Sequence, residues 1–360
     1  MWESYLASRG RQVLFMAGQG FDPRTCAGVA AILDAGGEGL RDCILLTLDE
    51  GASSSSKRYD DLATANGDKL RALFAGRGSV TERQVPMWSA DRRRIGALQV
   101  MSVIDALPNL MSYSDVVVDI SAMPRGIYFP LVGKLLYLVD HAPPPGGGNE
   151  KLNLHVIVAE NPELDRIILD DGVDEAANYV HGFASELQIQ ATADVPKIWL
   201  PILGEGQYVQ LERINRLVNP SEICPILPSP ARNPRRSDSL LLEYRRLLFD
   251  EWRVEPRNVI YASEQNPFEV YRQIHRTVTH YDKALAPLGG CKAAITAVSS
   301  KLLSLGALLA AYELMESEYR VGIAHIESQG YEMNRGQADS LAQEHELFSL
   351  WLTGECYATG

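Results

Sequence analysis

Cysteine is scarce in this chain, and its spacing excludes two classes of fold. The five cysteines among 360 residues form no C-x-x-C pair and no metal-ligand spacing, so the sequence indicates neither a zinc site nor a disulfide framework. They are Cys26, Cys43, Cys224, Cys291 and Cys356. A reducing cytoplasm fits this usage best.

Long apolar runs and secretion signals are also lacking. No apolar run is long enough to span a bilayer. The N-terminal residues lack the charged start, the apolar stretch and the small-residue cleavage site of a signal peptide. We therefore expect a soluble cytoplasmic protein with no membrane partner.

A surplus of positive charge is missing as well. The formal net charge of −12 argues against a surface that binds nucleic acid non-specifically, because such a surface must neutralise several phosphates. Two arginine-rich runs, at 92–94 and 232–236, are predicted to be solvated loops. With 46% hydrophobic residues, the chain can bury a sizeable core, and its length suits two domains.

Helical patterns alternate with apolar strand patterns along the chain. Near the start, the strand VLFMA is followed by a G-x-G turn and a helix for which Asp22 is the expected N-cap and Pro23 the first residue. Later, VVVDI reads as a strand buried on both faces, which is typical of a parallel sheet. We predict an α/β fold of two tandem Rossmann-like lobes with mostly parallel sheets, related by an internal pseudo-repeat.

The internal repeat is predicted from the order of elements and from two matched turns. Gly20 corresponds to Gly206 at an offset of 186 residues, and Ser121 corresponds to Ser299 at an offset of 178. Loop changes between two copies would produce such a difference. Residue identity between the halves is low, so the order of the elements carries the prediction.

The sequence also allows a second, rival alignment of the two halves, and it predicts where the two lobes begin and end. Pairing ENP at Glu160 with EQNP at Glu264 would shift the register of the repeat. We predict a first lobe at 1–190 and a second lobe at 191–360 with a helical C-terminal tail. The serine run Ser53–Ser56 is predicted to be a flexible loop.

Two turns in each lobe follow strands of the predicted parallel sheets, at the edge where open α/β sheets bind ligands. The four turns are 18–24, 121–125, 204–208 and 299–301. Glycines let backbone approach a ligand closely, and the candidates are Gly18, Gly20, Gly204 and Gly206. Neither G-x-G turn continues into a complete dinucleotide fingerprint or a P-loop.

Hydroxyl and cationic side chains in these turns could converge on a phosphate at a helix N-terminus. In the second lobe they are Ser299, Ser300 and Lys301. In the first lobe they are Ser121 and Arg125, with Arg24 as a helper. The alternative is that both serines of the repeat only cap helices and that the cations are solvated.

The segments VVVDISAMPRG and ITAVSSK resemble the CARF and SAVED sensor families of prokaryotic immune systems. The resemblance implies Rossmann-like lobes that hold cyclic or linear oligonucleotide second messengers at a two-fold or pseudo-two-fold junction. It also implies a separate effector protein, since nothing like a fused nuclease is evident. Met123 and Pro124 depart from the small residues expected in the first turn.

The leading hypothesis is therefore a sensing module for a nucleotide-like, phosphate-bearing ligand. A nucleotide-using enzyme similar to a methyltransferase is one alternative, with Asp49 or Glu50 at a ribose and GQGFDPR as its loop. A structural subunit of a larger assembly is another. We predict no catalytic residue and no metal ligand, and the sequence names no cofactor.

Overall fold

The chain forms two α/β units, and one of them is built from two separate stretches of sequence. The computed structural model describes residues 1–107, 110–141, 152–184, 187, 189, 194–342 and 344–357. Unit 1 comprises Met1–Gly172 and Gln329–Gly360, and unit 2 comprises Val173–Ser328. In the described part of the chain, no helix has the length and apolar character needed to cross a membrane.

Unit 1 contains a six-stranded sheet in which five strands are parallel and one edge strand is antiparallel. Strands and helices are numbered along the whole chain. The parallel strands are β1 (Val13–Gly18), β2 (Arg41–Asp49), β3 (Val80–Pro86), β4 (Asp115–Asp119) and β5 (Asn153–Glu160). The antiparallel strand is β15 (Glu346–Thr353), and the order across the sheet is β15-β5-β4-β1-β2-β3.

Helices connect these strands, and short elements lie around the sheet. The helices of unit 1 are α1 (Trp2–Ala7), α2 (Ala27–Asp34), α3 (Asp60–Phe74), α4 (Gly96–Asp105), α5 (Arg125–His141), α6 (Pro162–Asp165) and α11 (Arg335–Leu341). A small antiparallel pair joins β6 (Ile168–Asp170) to β14 (Tyr331–Met333). Pro130 lies inside α5.

Unit 2 contains a second mostly parallel sheet, in the order β11-β10-β8-β12-β13-β7. Its strands are β7 (Asn178–Tyr179), β8 (Lys197–Ile202), β9 (Glu222–Ile223), β10 (Ile226–Pro228), β11 (Ile260–Ala262), β12 (Lys292–Ala297) and β13 (Val321–His325). Its helices are α7 (Tyr208–Val218), α8 (Arg236–Glu243), α9 (Pro267–Ala284) and α10 (Lys301–Glu316). Strand β7 is antiparallel to β13, and β9 pairs with β8.

The predicted fold class is confirmed, because both sheets have the same topology. Numbering the parallel strands within each unit, with the two-residue β9 left out, gives the order third, second, first, fourth, fifth in both. Ser121 and Ser299 both follow a fourth strand, as the predicted repeat requires. The rival alignment is wrong, since Glu160 ends the fifth strand of unit 1 whereas Glu264 follows the third strand of unit 2.

The limits of the two units differ from the predicted lobes. The predicted boundary at 190/191 lies outside the described residues. Residues 329–360, expected in the second lobe, belong to unit 1. The expected helical tail is wrong beyond α11, because the apolar residues of β15 complete the sheet of unit 1 beside β5.

Local sequence explains the central strands and their helices. Val116, Val117 and Val118 are fully buried, which suits β-branched residues in a central strand. In unit 2, the buried Trp199 indole N–H donates to Thr296 Oγ1 at 2.9 Å and so ties the first strand to the fourth. Fully burying one such large side chain stabilises a unit by roughly 1.5–3 kcal/mol.

A buried polar cluster, which we call the Asp115 network, lies at the amino end of the unit 1 sheet. It consists of Tyr5, Arg11, Asp115, His155 and Glu355. The Asp115 carboxylate accepts from the Tyr5 hydroxyl at 2.5 Å and from His155 Nε2 at 3.1 Å. Arg11 donates to Glu355 at 2.9 and 3.0 Å, which joins the segment between α1 and β1 to the C-terminal segment.

Candidate functional site

The predicted turns lie at the switch point of each sheet, where the strand order reverses direction. In unit 1 this point falls between β1 and β4, and in unit 2 it falls between β8 and β12. Ligands of open α/β sheets bind at such crevices, beyond the carboxyl ends of the strands. The turns at 18–24 and 121–125 therefore meet in unit 1, and those at 204–208 and 299–301 meet in unit 2.

In unit 1, the glycines are needed because the turn after β4 approaches closely. A Cβ at Gly18 would lie 2.9 Å from Met123 Cγ. A Cβ at Gly20 would lie 3.1 Å from Ala122 Cβ and 3.2 Å from the Ala122 carbonyl oxygen. Met123, which seemed out of place among small residues, is thus buried against the first glycine. The structure brings these two predicted turns together.

Arg24 occupies a buried ion-pair cluster in the same turn. Its guanidinium lies 2.7 Å from Asp22 Oδ2 and 2.8 Å from Asp165 Oδ1. Burial alone would lower the pKa of Arg24, but the two carboxylates outweigh burial and raise it. Asp22 also accepts from the Arg24 backbone N–H, as the predicted N-cap should. The Arg24 charge is therefore neutralised within unit 1.

Ser121 and Arg125 lie at opposite ends of the second turn of unit 1. Ser121 is fully buried, and its hydroxyl accepts from the Ala159 N–H at 2.9 Å, which links the β4 turn to β5. It does not cap α5, because that helix begins four residues later at Arg125. Arg125 is half-buried at the first helical position.

In unit 2, the two glycines of the first turn have different surroundings. A Cβ at Gly204 would overlap the Val298 carbonyl oxygen and lie 3.0 Å from Ser299 Cα. Gly206 has a φ of +74°, and its N–H donates to Glu243 Oε1 at 2.8 Å. Gly204, rather than the predicted Gly206, is therefore the packing counterpart of Gly20, because it contacts the turn after the fourth strand.

The three residues predicted after β12 are adjacent at the start of α10. Ser300 is the N-cap, and its hydroxyl accepts from the Leu303 N–H at 3.3 Å. Ser299 is buried directly before it. Lys301 is half-buried at the first position of this 16-residue helix. The two serine hydroxyls, the Lys301 ammonium group and the N-terminus of α10 therefore lie in one turn.

A charged cluster beside the unit 2 turn was missed from the sequence. Glu205, between the two glycines, receives two hydrogen bonds of 2.7 Å from Arg236, and Arg236 also pairs with the buried Glu264. Burial would lower the pKa of Arg236, but the carboxylates outweigh burial and raise it. The prediction of a solvated loop was wrong for Arg236, because an arginine run does not reveal its distant carboxylate partners.

The residues of the enzyme alternative have local partners. Asp49 is exposed, and its carboxylate accepts from the Gly51 N–H at 3.0 Å. Glu50 accepts from the Ser54 hydroxyl at 2.6 Å. Among the described residues, no group of three or more histidine, cysteine, aspartate or glutamate side chains has a geometry that could hold a metal ion.

Comparisons with known proteins identify no family for this chain. No family model and no curated protein matches it. A solved protein of unknown function from Pseudomonas aeruginosa is 14% identical with a TM-score of 0.22, covering 92% of this chain and 97% of that one. A universal stress protein from Archaeoglobus fulgidus is 9% identical with a TM-score of 0.23, covering 86% and 95%.

An enzyme is also among the similar structures. A UDP-N-acetylglucosamine 2-epimerase described from Listeria monocytogenes is 10% identical with a TM-score of 0.25, covering 93% of this chain and 91% of that one. At such identities and scores, these likenesses carry no argument about what this chain binds.

Proposed function

We propose that the chain binds a phosphate-bearing, nucleotide-like ligand at its switch-point turns. It then acts as a sensing module of a prokaryotic defence or signalling system through a separate effector protein. Ligand binding shifts the population toward a form that the effector recognises. The resemblance of VVVDISAMPRG and ITAVSSK to CARF and SAVED sensors supports the signalling part of this proposal.

One repeated feature carries the ligand-binding part. Arg125 and Lys301 are the first residues of α5 and α10, the helices that follow the fourth strand of each sheet. A helix N-terminus carries partial positive charge, so a cation there costs roughly 0.3–1 kcal/mol instead of stabilising the helix. Neither helix has an acidic residue in its first turn. Each cation therefore adds its positive charge to a helix N-terminus, which is where proteins bind phosphate groups.

Unit 2 is the stronger phosphate site in this proposal. Lys301 there follows two serines, whereas the first turn of unit 1 contains Arg24 between the carboxylates of Asp22 and Asp165. Those carboxylates repel a phosphate, so we assign the dominant phosphate contact to unit 2. Arg125 in unit 1 contributes a planar donor to the same class of ligand.

Calorimetry and thermal shift with a defined panel test the proposal. The probes are inorganic phosphate, ATP, cyclic di-AMP, and the cyclic tri- and tetra-adenylates. A probe at a hundred times its dissociation constant should raise the free energy of unfolding by about 2.7 kcal/mol. Lys301→Ala should weaken the affinity for that probe about 10- to 150-fold, since a hydrogen bond to a charged group contributes roughly 1.5–3 kcal/mol.

Charge reversal separates ligand binding from helix stability. Lys301→Glu should abolish binding, because it places a negative charge beside the phosphate, while the ligand-free protein should stay folded, since glutamate suits a helix N-terminus. Lys283→Ala, an exposed change in the last turn of α9, is the control: it should leave the affinity unchanged and lower stability by roughly 0.3–1 kcal/mol, because a cation suits a helix C-terminus. Full affinity in the Arg125→Ala, Lys301→Ala double variant would disprove the assignment.

A further inference from the structure

A segment of the C-terminal region crosses the carboxyl edge of the unit 1 sheet. We call residues 329–342 the strap. At one end the Tyr331 N–H donates to Ser56 Oγ at 3.1 Å. The Tyr59 hydroxyl accepts from the Met333 N–H at 2.7 Å and donates to the Met333 carbonyl at 2.9 Å. Ser56 and Tyr59 follow β2, and the serine run predicted to be a flexible loop therefore takes part in holding the strap.

The other end of the strap is attached beyond β5. Asn161 Nδ2 donates to the Leu341 carbonyl at 3.1 Å, and Leu164 of α6 packs in one apolar cluster with Met333. The strands lie in the order β5-β4-β1-β2, so contacts beyond β5 and β2 place the strap across the β1–β4 switch point. Phe21, one residue after Gly20, packs on Tyr59 with ring centroids 4.8 Å apart.

The strap is held by its β14–β6 pairing, by a small apolar cluster of its own around the buried Met333 and Ala338, and by exposed ion pairs. Arg335 pairs with both oxygens of Asp61 at 2.8 Å, with side chains 45% and 62% exposed. Arg58 pairs with Glu332 at 2.9 Å on the surface. Exposed ion pairs contribute little to stability. The strap can therefore open at a smaller cost than unfolding of the sheet beneath it.

We propose that the strap is a lid that opens locally and controls access to the switch point of unit 1. This regulation rests on the proposed function, since the lid matters only if a ligand enters there. In the closed form, the strap excludes a phosphate-bearing ligand from the turn of Gly20 and Ala122. Opening exposes that turn together with Arg125.

Thiol labelling tests the lid without any ligand. Ala122 is half-buried at the switch point, so Ala122→Cys reports access to it, in a background with Cys26→Ser and Cys356→Ser. We expect slow labelling that Arg335→Ala accelerates about two- to fivefold, the effect of losing an exposed ion pair. Tyr59→Phe, which removes both hydroxyl bonds to Met333, should accelerate it further.

A matched control excludes a general loss of stability. Arg71→Ala removes two exposed ion pairs of 2.7 Å on α3, and it should leave the labelling rate unchanged. Fast labelling of Ala122→Cys in the otherwise unchanged protein would overturn the lid. So would equal rates in the Arg335→Ala, Tyr59→Phe and control proteins. The strap amides should exchange hydrogen faster than the amides of β4. If the strap amides exchange only when the whole protein unfolds, the lid proposal is also overturned.

Measuring the association rate of a ligand distinguishes failure of the lid proposal from failure of the proposed function. In a Lys301→Ala background, which weakens the unit 2 site, the association rate of ATP or of the cyclic tetra-adenylate should rise on adding Arg335→Ala by the same factor as the labelling rate. An unchanged association rate beside faster labelling would show that the strap does not control ligand entry. If neither probe binds any variant, the proposed function fails, while labelling still decides whether the strap opens.

Discussion

The two units share a topology, yet they complete it with different pieces of chain. In unit 1 the antiparallel edge strand is β15, eight residues long and drawn from the C-terminal segment. In unit 2 the corresponding strand is β7, two residues long and placed before the first parallel strand. The same order of five parallel strands therefore accommodates antiparallel edge strands of different length and different position in the sequence. The units differ in the surroundings of their turns, which is where function resides in such folds.

The turns themselves show the same contrast. In unit 1 the cation of the first turn, Arg24, is neutralised by two carboxylates and the strap lies across the sheet edge. In unit 2 Lys301 follows the buried Ser299 and the capping Ser300. The two units therefore share one strand order, while the side chains around their corresponding turns differ.

The largest predicted effect is a loss of stability in unit 1 that leaves the stability of unit 2 unchanged. Asp115→Ala should destabilise unit 1 by about 3–5 kcal/mol, because it leaves the buried His155 ring and the Tyr5 hydroxyl without their acceptor and removes one of the two carboxylates beside Arg11. Thiol labelling in urea measures this, since Cys43 is buried in unit 1 and Cys291 in unit 2. Only the Cys43 midpoint should fall.

A surface change controls for the loss of a carboxylate. Asp34→Ala removes an exposed carboxylate at the end of α2 and should leave both midpoints in place. An equal fall of the Cys43 and Cys291 midpoints in Asp115→Ala would show that the two units unfold together, and would contradict a loss of stability confined to unit 1.

A smaller effect compares the glycine turns. Gly204→Ala should destabilise unit 2 by about 1–3 kcal/mol, because its Cβ overlaps the Val298 carbonyl of a neighbouring turn. Gly20→Ala should cost less, since its Cβ would lie 3.1 Å from the Ala122 methyl and 3.2 Å from the Ala122 carbonyl oxygen, with no overlap as close as at Gly204. Urea midpoints of the two variants measure the difference. Equal losses would mean that the two turns are equally tightly packed.

The smallest effect is the response to acid. Burial keeps the pKa of His155 below its usual value. The hydrogen bond from Arg11 lowers the pKa of Glu355. The unfolded chain therefore binds more protons, so unit 1 should lose stability as pH falls below about 6.5, and further below about 4.3. The Cys43 midpoint should fall on going from pH 7 to pH 5, and a rise would contradict this assignment.

Local patterns in the sequence were enough to predict the parallel strands and the matched turns. Apolar β-branched residues mark β4, and an Asp-Pro pair marks the turn after β1, so neither depends on distant residues. The N-cap role of Ser300 is likewise a local property. The same local patterns predict corresponding positions for Arg125 and Lys301, and each begins the helix after a fourth strand.

Long-range pairing lay beyond such reasoning. Strand β15 joins β5 across nearly two hundred residues, so no local pattern assigns it to unit 1. The partners of Arg236 come from two separate loops, which made a buried cluster resemble a solvated run. The buried Ser121 hydroxyl accepts a hydrogen bond from the Ala159 N–H of β5. No sequence pattern distinguishes a serine that links two strands in this way from a serine that caps a helix.

The discontinuity of unit 1 has a consequence for biosynthesis. Unit 2 is complete once Ser328 has left the ribosome, whereas unit 1 still awaits its sixth strand and Glu355. The nascent chain therefore exposes the unpaired edge of β5 throughout the translation of unit 2. A chaperone that protects strand edges would find its substrate in that interval.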